Sequence, residues 1–397
     1  MPQFLPFHAL RYTRDLNLAD VCAPPYDVQT AAQRAELANR HINNIVHLDL
    51  PLGDEPYLDA AKRLEQWRNT GVLVVDQSSS FTLYRMSFVD ASGKSRQTVG
   101  VIGALRIDEL DSRQVLPHEQ TTPKAKTDRL ELTRATKSNL SPIWGLSLTS
   151  GLTSALLDPG ENLGSMTDED GVVHSVERIN DKERCTVIGE LIAQSPVVIA
   201  DGHHRYAISR TYRDEQRAIS RSPGPNDLSQ SEAILTYISE LVEEQLSVAA
   251  IHRLYSGVTY SDLTNVLSKS FEIEPIATIS DNIISAMTHT NHLTLVAPDG
   301  SGARLTPKQG IFTGVRQLDS ALLEHALRSC QHDIAYQHGL NEVREQLATH
   351  KYTAAILIRP VSVTEIQRTV NERLLMPPKS TFFTPKLRTG LVMRLLD

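Results

Sequence analysis

Apolar and polar positions alternate along this chain in short blocks whose period changes repeatedly, a pattern that predicts strands interleaved with helices. β-Branched and aromatic residues crowd 81–89 and 98–105, which read as two strands, and Ala91-Ser92-Gly93-Lys94 between them predicts a hairpin. An extended, proline-rich opening precedes a helical stretch over 59–70. Residues 115–117 form a short apolar strand, 128–138 read as a helix and 143–148 as an apolar segment. The stretch 158–181, rich in Gly, Asp and Glu, predicts a polar insertion. A helix over 185–193 then returns the chain to the apolar run Val197-Val198-Ile199-Ala200.

Residues 213–231 mix Arg, Ser, Pro, Gly and Asn without apolar periodicity and predict a loop, either a lid or a solvated connector. Beyond it, helices and strands alternate over 232–245, 246–251, 260–268, 292–296, 317–330, 341–349 and 354–358. The fold class is therefore α/β, of mixed α+β character. An N-terminal region 1–110, a middle region 111–215 and a C-terminal region 230–397 are expected.

Composition narrows the partners. The 397 residues exceed one typical domain, with 40% hydrophobic and 22% charged residues, as in an ordinary globular chain. A net charge of −7 gives no general attraction to nucleic acid. The opening ten residues lack a basic region leading into a long apolar core, and no later apolar run spans a bilayer. The expected location is the cytoplasm, with neither nucleic acid nor membrane as partner. Cys22, Cys185 and Cys330 are widely spaced and odd in number, so they read as reduced, structural residues.

The most informative chemistry follows the 197–200 run, where Asp201-Gly202-His203-His204-Arg205 reads as strand, tight turn and helix start. A helix start presents backbone N–H groups to an anion, Arg205 adds a planar cationic fork and His203 and His204 further donors. A phosphate-bearing ligand is the expected occupant. The competing reading makes Asp201 a helix cap and Arg205 a surface ion-pair partner. Five such residues after a wholly apolar strand favour a site, because burying them without partners is costly.

A second polar cluster, Pro117-His118-Glu119-Gln120-Thr121-Thr122-Pro123-Lys124-Ala125-Lys126-Thr127-Asp128-Arg129, also follows an apolar strand. Glu119 is the leading general base, with a surface ion pair to Lys124 or Arg129 as the alternative. In Ala23-Pro24-Pro25-Tyr26-Asp27-Val28, two prolines stiffen the backbone before Asp27, a candidate for substrate or metal, or else an ordinary turn residue. Residues 376–386 crowd basic and hydroxyl groups, with Lys379, Ser380 and Thr381 as candidate phosphate contacts. A strand docking Phe382 and Phe383 into a core accounts for the same segment. His252-Arg253 is a weaker candidate of this kind.

Taken together and in order, these four motifs resemble the signature set of the SerK-like family, long catalogued as a domain of unknown function. That family resembles the ParB/sulfiredoxin superfamily, in which a strand leads into a Gly-x-His-Arg-like turn that binds nucleotide phosphates. The matching residues are Gly202, His203, His204 and Arg205, beside Asp201. The resemblance implies a ParB/sulfiredoxin-like core with N- and C-terminal α/β elaborations. Val115-Leu116-Pro117-His118-Glu119 is similar to the segment carrying the catalytic glutamate of free-serine kinases, which phosphorylate L-serine to O-phosphoserine. Sulfiredoxins carry a cysteine where this chain has His203, and ParB partition proteins continue into a basic helix-turn-helix, which this acidic chain does not.

The function expected from residues and resemblance is a phosphotransferase, a small-molecule kinase acting on free L-serine or a related hydroxyl compound with ATP or ADP and Mg2+. Glu119 and His204 are its expected catalytic residues, and residues Asp201 to Arg205 its nucleotide contacts. Tyr26, Asp27, His118, Lys126, Arg129, Lys379, Ser380 and Thr381 are expected around the substrate, with no metal ligand assigned. The alternative is a ParB-like nucleotide-binding switch without metabolite kinase activity. A ParB-like nuclease is disfavoured by the acidic charge.

Overall fold

The computed structural model describes residues 1–90, 93–109, 112–117, 126–219, 230–372 and 374–397, and of Lys126, Thr127 and Thr288 the backbone alone. The fold is mixed α/β, and the chain divides into two units, Met1–Ser247 with Pro385–Asp397, and Val248–Thr384.

In unit one the strand-forming blocks are β1 (Phe4–Leu5), β2 (Phe81–Val89), β3 (Ser95–Arg106), β4 (Val115–Pro117), β5 (Ile143–Ser147), β6 (Glu161–Thr167), β7 (Val173–Ile179), β8 (Val197–Asp201) and β9 (Ala233–Glu240). They form one sheet in the order β4-β8-β5-β9-β3-β2-β7-β6, with β1 also on β3. β8 is parallel to β4 and β9 to β5, and the other neighbours are antiparallel. The expected hairpin is β2–β3, in register from Thr82 opposite Ile102 to Val89 opposite Ser95. A Cβ on Gly100 of β3 would lie 2.4 Å from the Tyr237 ring. Its absence lets Tyr237 stand edge-on to both Trp144 and Tyr84, with centroids 5.4 and 5.5 Å apart.

The helices of this unit are α1 (Pro56–Asn69), α2 (Lys126–Thr136), α3 (Lys182–Ala193) and α4 (His203–Ile219). Asp181 caps α3 by accepting from the Arg184 N–H, and Ile188 and Ile192 of that helix pack with Phe4, Phe81, Val197 and Ile238 in the core. A further helix, Ala31–Arg40, lies in the stretch read as an extended opening. Its signal was the reciprocal Thr30–Gln33 capping box.

The polar 158–181 stretch supplies β6 and β7, whose alternate residues Met166, His174 and Val176 are buried. Of the loop expected over 213–231, residues 213–219 are helix α4, where buried Arg213 donates to the Ile107 and Asp108 carbonyls. The stretch 220–229 lies outside the described residues. Segments 1–110 and 111–215 contribute strands to one sheet and belong to one unit, and 230–397 is shared between the two units.

Unit two carries β10 (His252–Ser256), β11 (Phe271–Ile276), β12 (Leu293–Val296), β13 (Gly302–Pro307), β14 (Asp333–Gln337) and β15 (Ala354–Leu357), an antiparallel sheet ordered β11-β13-β12-β15-β10-β14. Alternate residues fill two cores. Tyr255, Leu295 and Ile356 pack with α5 (Tyr260–Leu267) and α7 (Asp319–Leu327); Leu254, Val296 and Leu357 pack with α6 (Ile283–Thr290) and α8 (Leu340–Ala348). Helix α9 (Val363–Asn371) starts at Ser362, whose hydroxyl accepts from the Glu365 N–H.

No helix among the described residues is long and apolar enough to cross a membrane. The three cysteines form no disulfide, and burial pushes the Cys22 thiol up to about 12.

Candidate functional site

Strands β4 and β8 run parallel with Pro117 opposite Ile199, so both leave the sheet at the same end. At that end β8 passes through Gly202 into α4. Gly202 has φ +92°, and a Cβ there would stand 2.8 Å from Ile143 Cγ2, which leaves this turn to glycine. The first helical hydrogen bond runs from the Tyr206 N–H to the Gly202 carbonyl at 3.0 Å. The N–H groups of a helix's first turn have no intrahelical acceptor and form a site for negative charge.

Two cations meet Asp201 at this turn. Arg205 Nη2 donates to Oδ2 at 2.8 Å and Lys386 Nζ donates to Oδ1 at 3.0 Å. Arg205 is further held by the Pro142 carbonyl and by Ser141 Oγ at 3.3 Å. Burial pulls the Asp201 carboxyl upward, but Lys386 and Arg205 outweigh it and hold the group well below the usual carboxylate range. Asp201 therefore stays ionised and fixes an ammonium and a guanidinium beside the start of α4. His203 and His204 open that helix, half-buried.

A cavity of about 50 Å³ adjoins Arg205, lined by residues that include Tyr26, Asp49, Arg129, Ser138 and Ser209. Arg129 is buried: it donates to the Asp49 carbonyl at 2.5 Å and to Asp128 Oδ2 at 2.6 Å, and its guanidinium lies 4.5 Å from the centre of the Tyr26 ring. Burial pushes the Tyr26 phenol up to about 12 and raises the Asp49 carboxyl, the latter against the opposing fields of Arg129 and Arg205. Asp27, next to Tyr26 in the short turn Tyr26–Val28, is exposed, and its charge helps to raise the Arg205 pKa against the effect of burial.

The structure thus brings Asp201, Gly202, His203, His204 and Arg205 into one turn, and Tyr26 and Arg129 to the cavity lined by Arg205. His118 and Glu119 lie outside the described residues, as does the side chain of Lys126. Lys379, Ser380 and Thr381 belong to unit two, where Ser380 is buried and donates to the Pro377 carbonyl at 2.7 Å, and Phe383 is buried. His252 and Arg253 are buried within β10; the Ile358 N–H donates to His252 Nδ1 at 3.2 Å, and burial lowers the ring to about 4. Sequence reading passed over Lys386 and Asp49. Lys386 sat in the basic segment already singled out, whereas Asp49 carries no signal beyond a single acid between Leu48 and Leu50.

A second buried polar network in this unit was also missed. Tyr84 OH lies 2.7 Å from His174 Nδ1, His174 Nε2 lies 2.8 Å from Asp168 Oδ2, and Arg388 Nη2 lies 2.5 Å from the same oxygen. The Arg388 N–H donates to Tyr84 OH at 3.3 Å, which closes the ring of contacts.

A family model described as "Protein of unknown function (DUF1015)" matches residues 4–321. No curated protein matches the chain. Among solved structures it is similar to a conserved hypothetical protein from Pyrococcus furiosus, at 12% identity and a TM-score of 0.39 over 72% of this chain and 94% of that one. It is similar to free serine kinase in complex with AMP, at 14% identity and a TM-score of 0.38 over 70% and 89%. A C-terminally truncated SbnI from Staphylococcus aureus matches at 12% identity and 0.39 over 74% and 87%.

Proposed function

The chain belongs to that family of unknown function, and we propose that its activity is phosphoryl transfer from ATP or ADP to a small hydroxyl compound, free L-serine first among them. The observation that carries this reading is the turn after β8, where Asp201 holds Lys386 and Arg205 at the start of α4. The order of the four motifs along the chain supports it. A ParB/sulfiredoxin-like core around β4, β8 and α4 belongs to the same proposal.

In this reading Asp201 is a positioning residue and does not touch phosphate. It keeps two cations fixed, so they need no reorganisation as charge develops on the transferring group. His204 and the first-turn N–H groups of α4 supply further donors. The serine hydroxyl oxygen attacks the terminal phosphorus, the new O–P bond forms as the bond to the leaving nucleotide breaks, and ADP or AMP departs. The hydroxyl proton passes to Glu119, two residues beyond Pro117. Proton transfer is late in such a loose transition state, so most of the acceleration comes from positioning. Among the described residues no group of three or more His, Cys, Asp or Glu forms a metal cage. That suits Mg2+ carried by the nucleotide, since phosphates and one or two carboxylates suffice to hold it.

Phosphorus NMR of the protein with Mg2+, ATP or ADP, and L-serine tests the proposal. A phosphomonoester signal that requires L-serine is expected, and Glu119→Gln is expected to slow it by about 10²-fold or more while nucleotide still binds. An unchanged rate in Glu119→Gln removes that residue from its role. Saturable nucleotide binding with no product across a panel of hydroxyl amino acids replaces the kinase with a nucleotide switch.

A further inference from the structure

We propose that the cavity beside Arg205 recognises the ammonium group of a small amino acid, with the carboxylate of Asp49 as its acceptor. The proposal names the acceptor class for the activity proposed above and rests on that reading for its role in turnover.

Two polar atoms in the cavity wall lack partners among the described residues. Asp49 Oδ2 and Ser138 Oγ are both buried, both residues line the cavity, and among the described residues neither atom has a hydrogen-bond partner. Buried polar groups without partners are uncommon in native proteins, and each is costly unless something supplies the missing bond. Asp49 reaches the cavity because the one-turn helix Val46–Asp49 buries Val46 and Leu48, which draws the acid in with them.

The missing donor selects the kind of partner. Arg129 is neutralised by Asp128 at 2.6 Å and Arg205 by Asp201 at 2.8 Å. The Asp49 carboxylate receives one long contact, Oδ1 to Arg129 Nη1 at 3.4 Å. Lys386 also pairs with Asp201, so the three cations and three carboxylates here balance, and what Asp49 lacks is a donor to Oδ2, which a group rich in N–H donors supplies. An ammonium offers three donors and no acceptor, which matches Asp49 Oδ2 together with the Ser138 hydroxyl.

A water needs about 10–15 Å³ on this scale, so a cavity of about 50 Å³ holds roughly three to five such groups, a size that suits the head of a small amino acid. A phosphate would meet the Asp49 charge at close range. Arg205 lines the cavity and bonds to Asp201, so the amine site and the proposed phosphate turn share one side chain.

Calorimetric titration of the full chain with L-serine and with 3-hydroxypropionate, the same skeleton without the ammonium, tests this with and without AMP. L-Serine is expected to bind at least about tenfold more tightly, the magnitude of one charge-assisted hydrogen bond. Asp49→Asn is expected to remove that advantage and to leave 3-hydroxypropionate unchanged. Equal affinity of the two ligands, undiminished L-serine binding to a folded Asp49→Asn, or no binding of L-serine at all overturns the proposal and leaves the cavity to ordered water. If Asp49→Asn does not fold, the wild-type comparison still decides, and Ser138→Ala is expected to weaken L-serine selectively. Binding through Asp49 without phosphoserine formation defeats the kinase reading alone; phosphoserine formation indifferent to Asp49 defeats this inference alone.

Discussion

Lys386 and Arg388 stand two residues apart on the segment that returns to unit one, yet they complete different kinds of site. Arg388 meets a closed network in which Tyr84 and His174 are buried, the Asp168 carboxylate is nearly so, and each touches the next. Lys386 meets a half-buried aspartate at a helix start, beside a cavity in which Asp49 Oδ2 and Ser138 Oγ have no partner among the described residues. Both are buried charge clusters. A network whose members satisfy one another holds the chain in place, whereas the unmet acceptors beside Lys386 are what the proposed ligand would satisfy.

Breaking the closed side produces the largest effect. Arg388→Met leaves Asp168 buried with its cation gone and is expected to cost about 3–5 kcal/mol in urea unfolding. A loss below about 1 kcal/mol ends the contrast. On the open side Lys386→Met leaves Asp201 still bound to Arg205 and partly solvated, so unfolding is expected to shift by about 1 kcal/mol or less. Phosphoserine formation is expected to fall by about 10²-fold. Equal stability losses at the two positions defeat the division into a structural and a functional cluster.

Acid sharpens the same contrast. Burial lowers the His174 pKa, so below about pH 6.5 the unfolded chain takes up a proton that the fold resists. Asp168 is opposed by burial, but its bonds to His174 and Arg388 hold it well below the carboxylate range, so a second loss begins as pH falls below about 4. Urea midpoints are expected to fall in both windows, and the upper fall is expected to shrink in His174→Gln. A midpoint that does not move between pH 7 and 5 removes His174 from this role.

Asp49 has the opposite sign and the smallest effect. Burial raises its pKa, so the fold binds its proton more readily than the unfolded chain does, and stability is lost as pH rises through the folded value. Asp49→Asn is therefore expected to leave neutral-pH stability unchanged or raise it by about 1 kcal/mol, a gain at the expense of ligand binding. Marked destabilisation makes Asp49 part of the framework instead.

Much of unit one was legible in order along the chain. The β-branched and aromatic residues of 81–89 predicted strand β2 at its full length, and the apolar run into Asp201-Gly202 predicted both β8 and the start of α4. The strands in 158–181 leave little local signal because β6 lies at the sheet edge, where most of its residues face solvent and the composition resembles a loop. The Thr30–Gln33 capping box is a local helix signal that follows directly on a proline-rich stretch.

Local sequence sets the strand and helix periods, the turn at Gly202 and the polar cluster Asp201 to Arg205, because these act over a few neighbouring positions. Long-range folding selects the lysine that joins Asp201, at 185 positions' distance, and the arginine that joins Asp168. It also decides that Asp49 is drawn into a cavity while Asp27 stays exposed. A charge finds its partner through strand order and the return of a distant segment, and no local pattern records either.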